Sequence, residues 1–358
     1  MAGSHGPLQF HFGDDAPGVH CHSLTSGLVC QVVTWRHFGP VAHVRLTYNS
    51  DTWEHTMDVM ISYTGVTEFL LLGFSEDPRR QNLIGFLFLV AYLAALLVNG
   101  LIIIVITSDP RLHTPVYFFL KNLSLIDLCY IYVTVPKVFL NSLMNRNTIS
   151  FLGCVSQVVF FAGFGATELL ILTVMSYDRN VAICHPLHCE IIMSKGACGH
   201  MVVASYVSAL VYGAMHASVT FSTNFNSNKI HHFFCDIPQI MVISDPKMNI
   251  DEASVSLIVV IMTIICFTSI SYSYVNIFSA VLNISSKEER SQTLSTCIPH
   301  LVVVALFTFT GALAYLKPPS SSQTILDLLL SVSYTVFPPI MNPIKYSLRN
   351  KDMKAALE

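Results

Sequence analysis

Two adjacent opposite charges at the end of an apolar run are the first residues in this chain that could do chemistry. Asp178 and Arg179 lie in TVMSYDRNVAICHPLHC (173–189), where an apolar helix runs into a Pro-broken loop. Arginine is costly in hydrocarbon, so Arg179 is expected to reach water or to lean on Asp178. Two roles fit such a pair. One is a membrane-boundary anchor; the other is a switch, closed in one state and released toward a cytoplasmic partner in another. Two more acids, Asp127 and Glu168, fall inside apolar runs. An acid facing lipid is unfavourable, so they are expected to face each other across a hydrated cavity and share a sodium ion or protons. The alternative is plain hydrogen bonding to neighbours such as Asn99, Ser124 or Asn342.

Other reactive constellations carry less. His20-Cys21-His22 lacks further ligands at a regular spacing, so no metal site is expected there. There is no P-loop, Gly-rich dinucleotide turn or paired Cys-x-x-Cys motif, and a net charge of −3 gives no basic surplus for nucleic acid. Neither an enzyme nor a bound organic cofactor is expected.

The elements that must position these residues are membrane helices. With 53% hydrophobic and 11% charged residues and a mean hydropathy of +0.57, the chain is too apolar for a soluble domain. Apolar runs near 83–106, 115–138, 154–178, 200–221, 254–282, 293–316 and 325–348 are each long enough to span a bilayer. Backbone groups cannot stay unpaired in lipid, so the prediction is an all-α membrane protein, a bundle of seven transmembrane helices. The lysines and arginines of the short loops place the amino terminus outside. Asp178 and Arg179 then lie on the cytoplasmic face. In this orientation Cys154 and Cys235 are the outward-facing cysteines of the membrane domain, which predicts a disulfide pinning the long loop 222–252 over the outer mouth.

Residues 1–56 carry seven of the 15 histidines and no sustained period, and read as a disordered extension. The functional chain is expected to begin at Met57 or Met60, with 57–82 as the extracellular amino terminus, 83–348 as the helical domain and 349–358 as a cytoplasmic tail. Near that tail, Asn342-Pro343 followed by Tyr346 combines a kink, a polar side chain for freed backbone groups and a movable aromatic, which suits a switch.

Taken in order, GN at 99–100 with LSLID (123–127), Cys154, MSYDRNVAICHPLHC (175–189), HFFCD (232–236), LSTCIPHL (294–301) and PPIMNPIKYSLRN (338–350) resemble one family. The chain is identified as a member of the odorant receptors, within the rhodopsin-like G-protein-coupled receptors, over about residues 64–358. PVYFFLKNLSLIDLCY (115–130) is characteristic of olfactory members, and IMSKGAC (192–198) resembles the fourteenth olfactory family. The resemblance implies a plasma-membrane receptor for a small volatile odorant, which activates a stimulatory olfactory-type G protein through Arg179. Matched helix positions imply a ligand site at Phe161, Ala162, Gly165, Ala166, Val259, Thr308, Gly311, Ala312, Tyr315 and Thr335. These small and apolar residues suit an apolar ligand oriented by one or two hydroxyls. His231, His232, Cys235 and Asp236 are not expected to bind metal, because a disulfide sulfur is a poor ligand.

Several positions depart from the family pattern. Asn180 follows Asp-Arg where Tyr is usual, Tyr206 stands in place of Trp, and Lys345 puts a cation where an apolar residue is usual. The outer segments also lack an Asn-x-Ser/Thr sequon. These departures leave open an alternative: a degraded receptor copy that is made but does not signal.

Overall fold

The computed structural model describes residues 19–24, 27–32, 43–45, 66–73, 78–144, 147–244, 249–316 and 332–342. The chain divides into two units, Met1–Gly65 and Val66–Glu358. In the first, where the sequence shows no sustained period, strands β1 (Val19–Leu24), β2 (Gly27–Val32) and β3 (His43–Arg45) form an antiparallel sheet in that order. Its register sets Cys21 opposite Cys30.

The second unit is helical, and its helices follow the apolar runs. They are α1 (Pro78–Ser108), α2 (Pro115–Met144), α3 (Phe151–Cys184), the short α4 (Cys189–Ile192), α5 (Lys195–Thr220), the short α6 (Ile237–Ile243), α7 (Asn249–Leu282), α8 (Lys287–Leu316) and α9 (332–342). Six of them are long and apolar enough to cross a membrane. The seventh expected span, 325–348, contains α9; Pro343, Lys345 and Tyr346 lie outside the described residues. Serine caps start two spans. Ser150 accepts from the Gly153 amide at 3.2 Å ahead of α3, and Ser194 accepts from the Ala197 amide at 3.4 Å ahead of α5. Between α1 and α2 a turn at Pro110–Leu112 is held by Asp109, whose carboxylate takes Arg111 at 2.7 Å and is kept below the usual carboxylate range by that guanidinium.

Burial follows a membrane solvent. Large apolar side chains such as Leu97 (71% exposed) and Ile104 (63%) face outward on α1, as lipid-facing residues do, while the interior holds Asn99, Asp127, Glu168 and His300 at 0% exposure. Helix α3 is central and packs on α5 through small residues. A Cβ on Gly213 would overlap the Val159 carbonyl, and one on Gly163 would stand 3.3 Å from the Ala209 carbonyl. The fourth span's Ala, Ser and Gly content therefore serves backbone approach.

A second, short sheet closes the outer end. Strand β4 (Glu68–Leu71) lies between β5 (Thr148–Ser150), antiparallel to it, and β6 (Lys229–Ile230), parallel to it. It ties the segment before α1 to the loop after α2 and the long loop after α5. Behind it Phe69, Ile149, Cys154, Ile230, Cys235 and Ile240 form a buried cluster.

Candidate functional site

Midway along the bundle, one amide holds both intramembrane acids. Asn342 on α9 donates through Nδ2 to Glu168 Oε1 on α3 at 2.8 Å and to the Asp127 carboxylate on α2 at 3.2 and 3.3 Å. The acids thus meet through Asn342, one of the neighbours expected to hydrogen-bond to them. Glu168 Oε2 keeps no hydrogen-bond partner, so the group has room in its bonding for a further positive donor. Asn99 sits elsewhere in the network, donating to the Ala95 carbonyl at 3.0 Å and to the Pro339 carbonyl of α9 at 2.7 Å.

Toward the cytoplasm, His300 of α8 lies against α3 and α7. Its Nε2 is 3.0 Å from the Leu172 carbonyl, and its Nδ1 is 2.8 Å from the Tyr274 hydroxyl. A carbonyl only accepts, so Nε2 carries the proton and donates, leaving Nδ1 to accept from Tyr274. Asp178 is buried and Arg179 half-buried at the inner end of α3. Among the described residues no ion pair or hydrogen bond joins them, and Arg179 Nε is buried without a partner.

The outer end is built around the disulfide between Cys154 at the start of α3 and Cys235 in the long loop, with Cα atoms 5.5 Å apart. Gln157, one turn along α3, positions that loop. Its Oε1 accepts from the Cys235 amide at 2.8 Å, and its Nε2 donates to the Val133 carbonyl of α2 at 2.8 Å. The loop thereby delivers Phe234 and Asp236 into the bundle. Phe234 packs on Phe161 with ring centroids 5.0 Å apart, and Phe161 meets Tyr130 at 4.9 Å and Tyr334 at 6.0 Å. Tyr334 donates its hydroxyl to Asp236 Oδ2 at 2.6 Å, and Tyr130 donates to the Tyr334 carbonyl at 3.2 Å. Asp236 is 6% exposed, and its Oδ1 has no hydrogen-bond partner. Burial pushes its carboxyl up to about 6, although the Tyr334 hydroxyl and the Ile237 amide pull it back. A small cleft of about 20 Å³ is lined by Gln81, Asn141, Asn147 and Phe233.

The residues expected to meet a ligand are distributed unevenly. Phe161 belongs to the aromatic group, a Cβ added to Gly165 would stand 3.6 Å from the Tyr130 ring, and Ala162 and Thr335 are buried. Ala166, Val259, Thr308 and Gly311 are half-buried, and Ala312 is exposed. No hydrogen bond or ring contact among the described residues joins Val259, Thr308, Gly311 or Ala312 to that group. The side chain of Tyr315 lies outside the described residues. Sequence reasoning missed His300, Tyr274, Gln157, Asp236 and Tyr334 as members of the networks. A polar residue at an interior position of an apolar run was the available signal for His300 and Gln157.

The comparisons with known proteins agree on one family. A family model described as "Olfactory receptor" matches residues 88–358. Olfactory receptor 14L1 of Homo sapiens is 51% identical over 295 residues, covering 82% of this chain and 91% of that protein. Olfactory receptor 14A16 of Homo sapiens is 51% identical over 299 residues, covering 83% and 96%. Olfactory receptor 1f45 of Rattus norvegicus is 44% identical over 295 residues, covering 82% and 94%. The crystal structure of squid rhodopsin superposes with a TM-score of 0.61 at 16% identity over 80% of this chain and 86% of that one, a likeness of fold.

Proposed function

This chain belongs to the olfactory receptor family, and on that premise we propose that it binds a small volatile ligand inside the helix bundle and activates a heterotrimeric G protein of the stimulatory olfactory type, raising cAMP. Members of this family are multi-pass plasma-membrane signalling receptors and not enzymes. The observation that carries the reading is the Asn342 bridge to Asp127 and Glu168. On α3, Phe161 stands seven residues outside Glu168 and Arg179 eleven residues inside it. At 1.5 Å per residue the bridge is about 10 Å from the ligand end and about 16 Å from the G-protein end. Three helices meet there, so a ligand that moves α9 or α3 at one end changes what the other end offers. It shifts the equilibrium only by its difference in affinity for the two states.

In this reading Arg179, its Nε unpaired, contacts the G protein, and Asp178, Asn342, Pro343 and Tyr346 belong to the same switch. Asp127 and Glu168, with Glu168 Oε2 unsatisfied, fit a sodium ion or a shared proton, with Asn342 orienting both carboxylates. Phe161, Ala162, Gly165, Ala166, Val259, Thr308, Gly311, Ala312, Tyr315 and Thr335 line the ligand's path, and the outward apolar faces meet membrane lipid.

The test is cAMP in cells expressing the tagged chain with the stimulatory olfactory G protein and a trafficking chaperone, against a panel of volatile ligands. A response abolished by Arg179→Ala at equal surface level is the expected result. Surface display with silence throughout, reversed by Lys345→Ile, would instead mean a receptor fold whose switch is damaged.

A further inference from the structure

Ten cysteines occur in the chain. Cys154 and Cys235 are joined at the outer end, and Cys129, Cys184, Cys189, Cys198, Cys266 and Cys297 are free thiols in the spans or at their cytoplasmic ends. The remaining two, Cys21 and Cys30, lie in the amino-terminal sheet, ahead of the residues 88–358 that the family model matches, so no family feature accounts for them. The register sets them directly opposite each other. Six consecutive pairs run from Val19 with Val32 to Leu24 with Gly27, and Cys21 with Cys30 is the third. Directly opposed residues of an antiparallel pair share one face of the sheet, with Cα atoms about 4.5 or 5.5 Å apart according to whether the pair is hydrogen-bonded. A disulfide spans Cα separations of about 4.4–6.8 Å, so either kind of pair admits one. The fold also sets the compartment. Strand β4 precedes α1 and belongs to the sheet at the same end of the bundle as the Cys154–Cys235 disulfide. Among the described residues no membrane-crossing helix precedes β4, so Cys21 and Cys30 lie on the oxidising side. Strands of six, six and three residues make a small sheet, and small extracellular folds hold such elements with disulfides.

We propose that Cys21 and Cys30 form a second disulfide, a cross-strand staple in the extracellular amino terminus. This cross-link lies outside the odorant-receptor reading and holds whether or not the receptor signals. It forms by thiol–disulfide exchange with an oxidised dithiol oxidoreductase of the secretory lumen. One thiolate of the pair attacks the oxidant's disulfide, and the other then displaces the oxidant from the mixed disulfide. One S–S bond forms between Cys21 and Cys30 while one breaks in the oxidant, which leaves as a dithiol carrying the two protons. Pairing them leaves no outward thiol over, since Cys154 and Cys235 already hold each other. The two bonds divide the work: one fixes β1 to β2, and the other fixes the long loop to α3.

The experiment uses the full chain from Met1, displayed on cells with an epitope tag at each end, because a chain begun at Met57 or Met60 lacks both cysteines. Free thiols are blocked under denaturing conditions, and the purified receptor is digested with trypsin without reduction. The first lysine or arginine is Arg36, so Cys21 and Cys30 stay in one peptide. That peptide is expected to be unblocked and lighter by two hydrogens than its reduced form. A further cut by chymotrypsin after Leu24 or Leu28 should leave the halves joined until reductant is added. On intact cells, Cys21→Ser and Cys30→Ser each expose one thiol to a membrane-impermeant maleimide, whereas the wild type takes this label at neither position before reduction. In the purified receptor, the β1 and β2 amides should exchange hydrogen faster in the double variant Cys21→Ser, Cys30→Ser than in the wild type. Both thiols blocked in the wild type, either cysteine joined to a different partner, or loss of the amino-terminal tag from the displayed receptor would overturn the inference. Equal exchange in the two proteins would overturn the bond's role as a staple.

Discussion

The imidazole of His300 and the main-chain carbonyl of Leu172 are joined at 3.0 Å although they are 128 positions apart in the chain. Together with the Tyr274 hydroxyl at 2.8 Å, this bond ties α8 to α3 and α7 in the cytoplasmic half of the bundle. His300→Ala removes both contacts and is expected to raise ligand-independent cAMP per surface receptor by about 5-fold, the equivalent of about one net hydrogen bond. Tyr274→Phe, which removes one contact, should raise it less. Unchanged basal cAMP in both variants would show that the tie does not bias the resting state.

The α3–α5 contact predicts opposite outcomes for glycines of one helix. Gly213→Ala places a methyl against the Val159 carbonyl and should cost about 1–3 kcal/mol through overpacking. Gly199→Ala meets nothing within 4 Å and should be neutral or stabilising by up to about 1 kcal/mol from helix propensity. Thermal unfolding of the purified receptor in detergent distinguishes them, and equal melting temperatures would refute the packing argument.

Tyr206 departs from the family's usual Trp and leaves its hydroxyl buried without a partner. An unmade buried bond costs about 1–3 kcal/mol, so Tyr206→Phe, which keeps the ring and deletes the hydroxyl, should stabilise the receptor by about 1 kcal/mol. A lower melting temperature in Tyr206→Phe would mean that the hydroxyl is satisfied in the membrane.

Acid should strengthen the outer end. Burial holds the Asp236 carboxyl at about 6 in the folded receptor, against about 3.9 in an unfolded chain. The folded state therefore binds this proton more tightly. Its contribution is complete below about pH 4 and is lost as pH rises through about 6. Between pH 7.5 and pH 5 the ligand-free receptor should gain about 1 kcal/mol. The gain should be absent from Asp236→Asn, measured as the difference in melting temperature between the two proteins at each pH. Identical pH profiles would count against the burial argument.

Helix positions were legible in the sequence because lipid imposes a length and a composition on every span. The run at 154–178 marks α3, which the structure extends to Phe151–Cys184; the extra turns follow from the Ser150 cap and from backbone bonds that continue past the apolar stretch into water. The cysteine pair was legible from orientation alone, since few cysteines face the oxidising side. Pairings between distant segments were not. The sequence offers the two acids Asn99, Ser124 and Asn342 alike as neighbours; Asn342 lies 215 positions from Asp127 and 174 from Glu168, and only the coordinates select it. Asp236 was visible beside Cys235, but its partner Tyr334 is 98 positions away, so the carboxylate's place in the aromatic group needed coordinates. Strands β4, β5 and β6 have two to four residues each, too short for an alternating pattern to register.

Those three strands are held by main-chain atoms. The amide of Leu70 donates to the Asn228 carbonyl at 2.8 Å, that of Leu71 to the Asn147 carbonyl at 2.7 Å, and that of Leu72 to the Ile230 carbonyl at 2.8 Å. Such a seam is indifferent to most substitutions at the exposed side chains but has no tolerance for an imino acid, since proline at 70, 71 or 72 would erase a stitch outright. For anyone building variants of this receptor, the rim is therefore open to recolouring with new surface residues, whereas its thread must be left uncut.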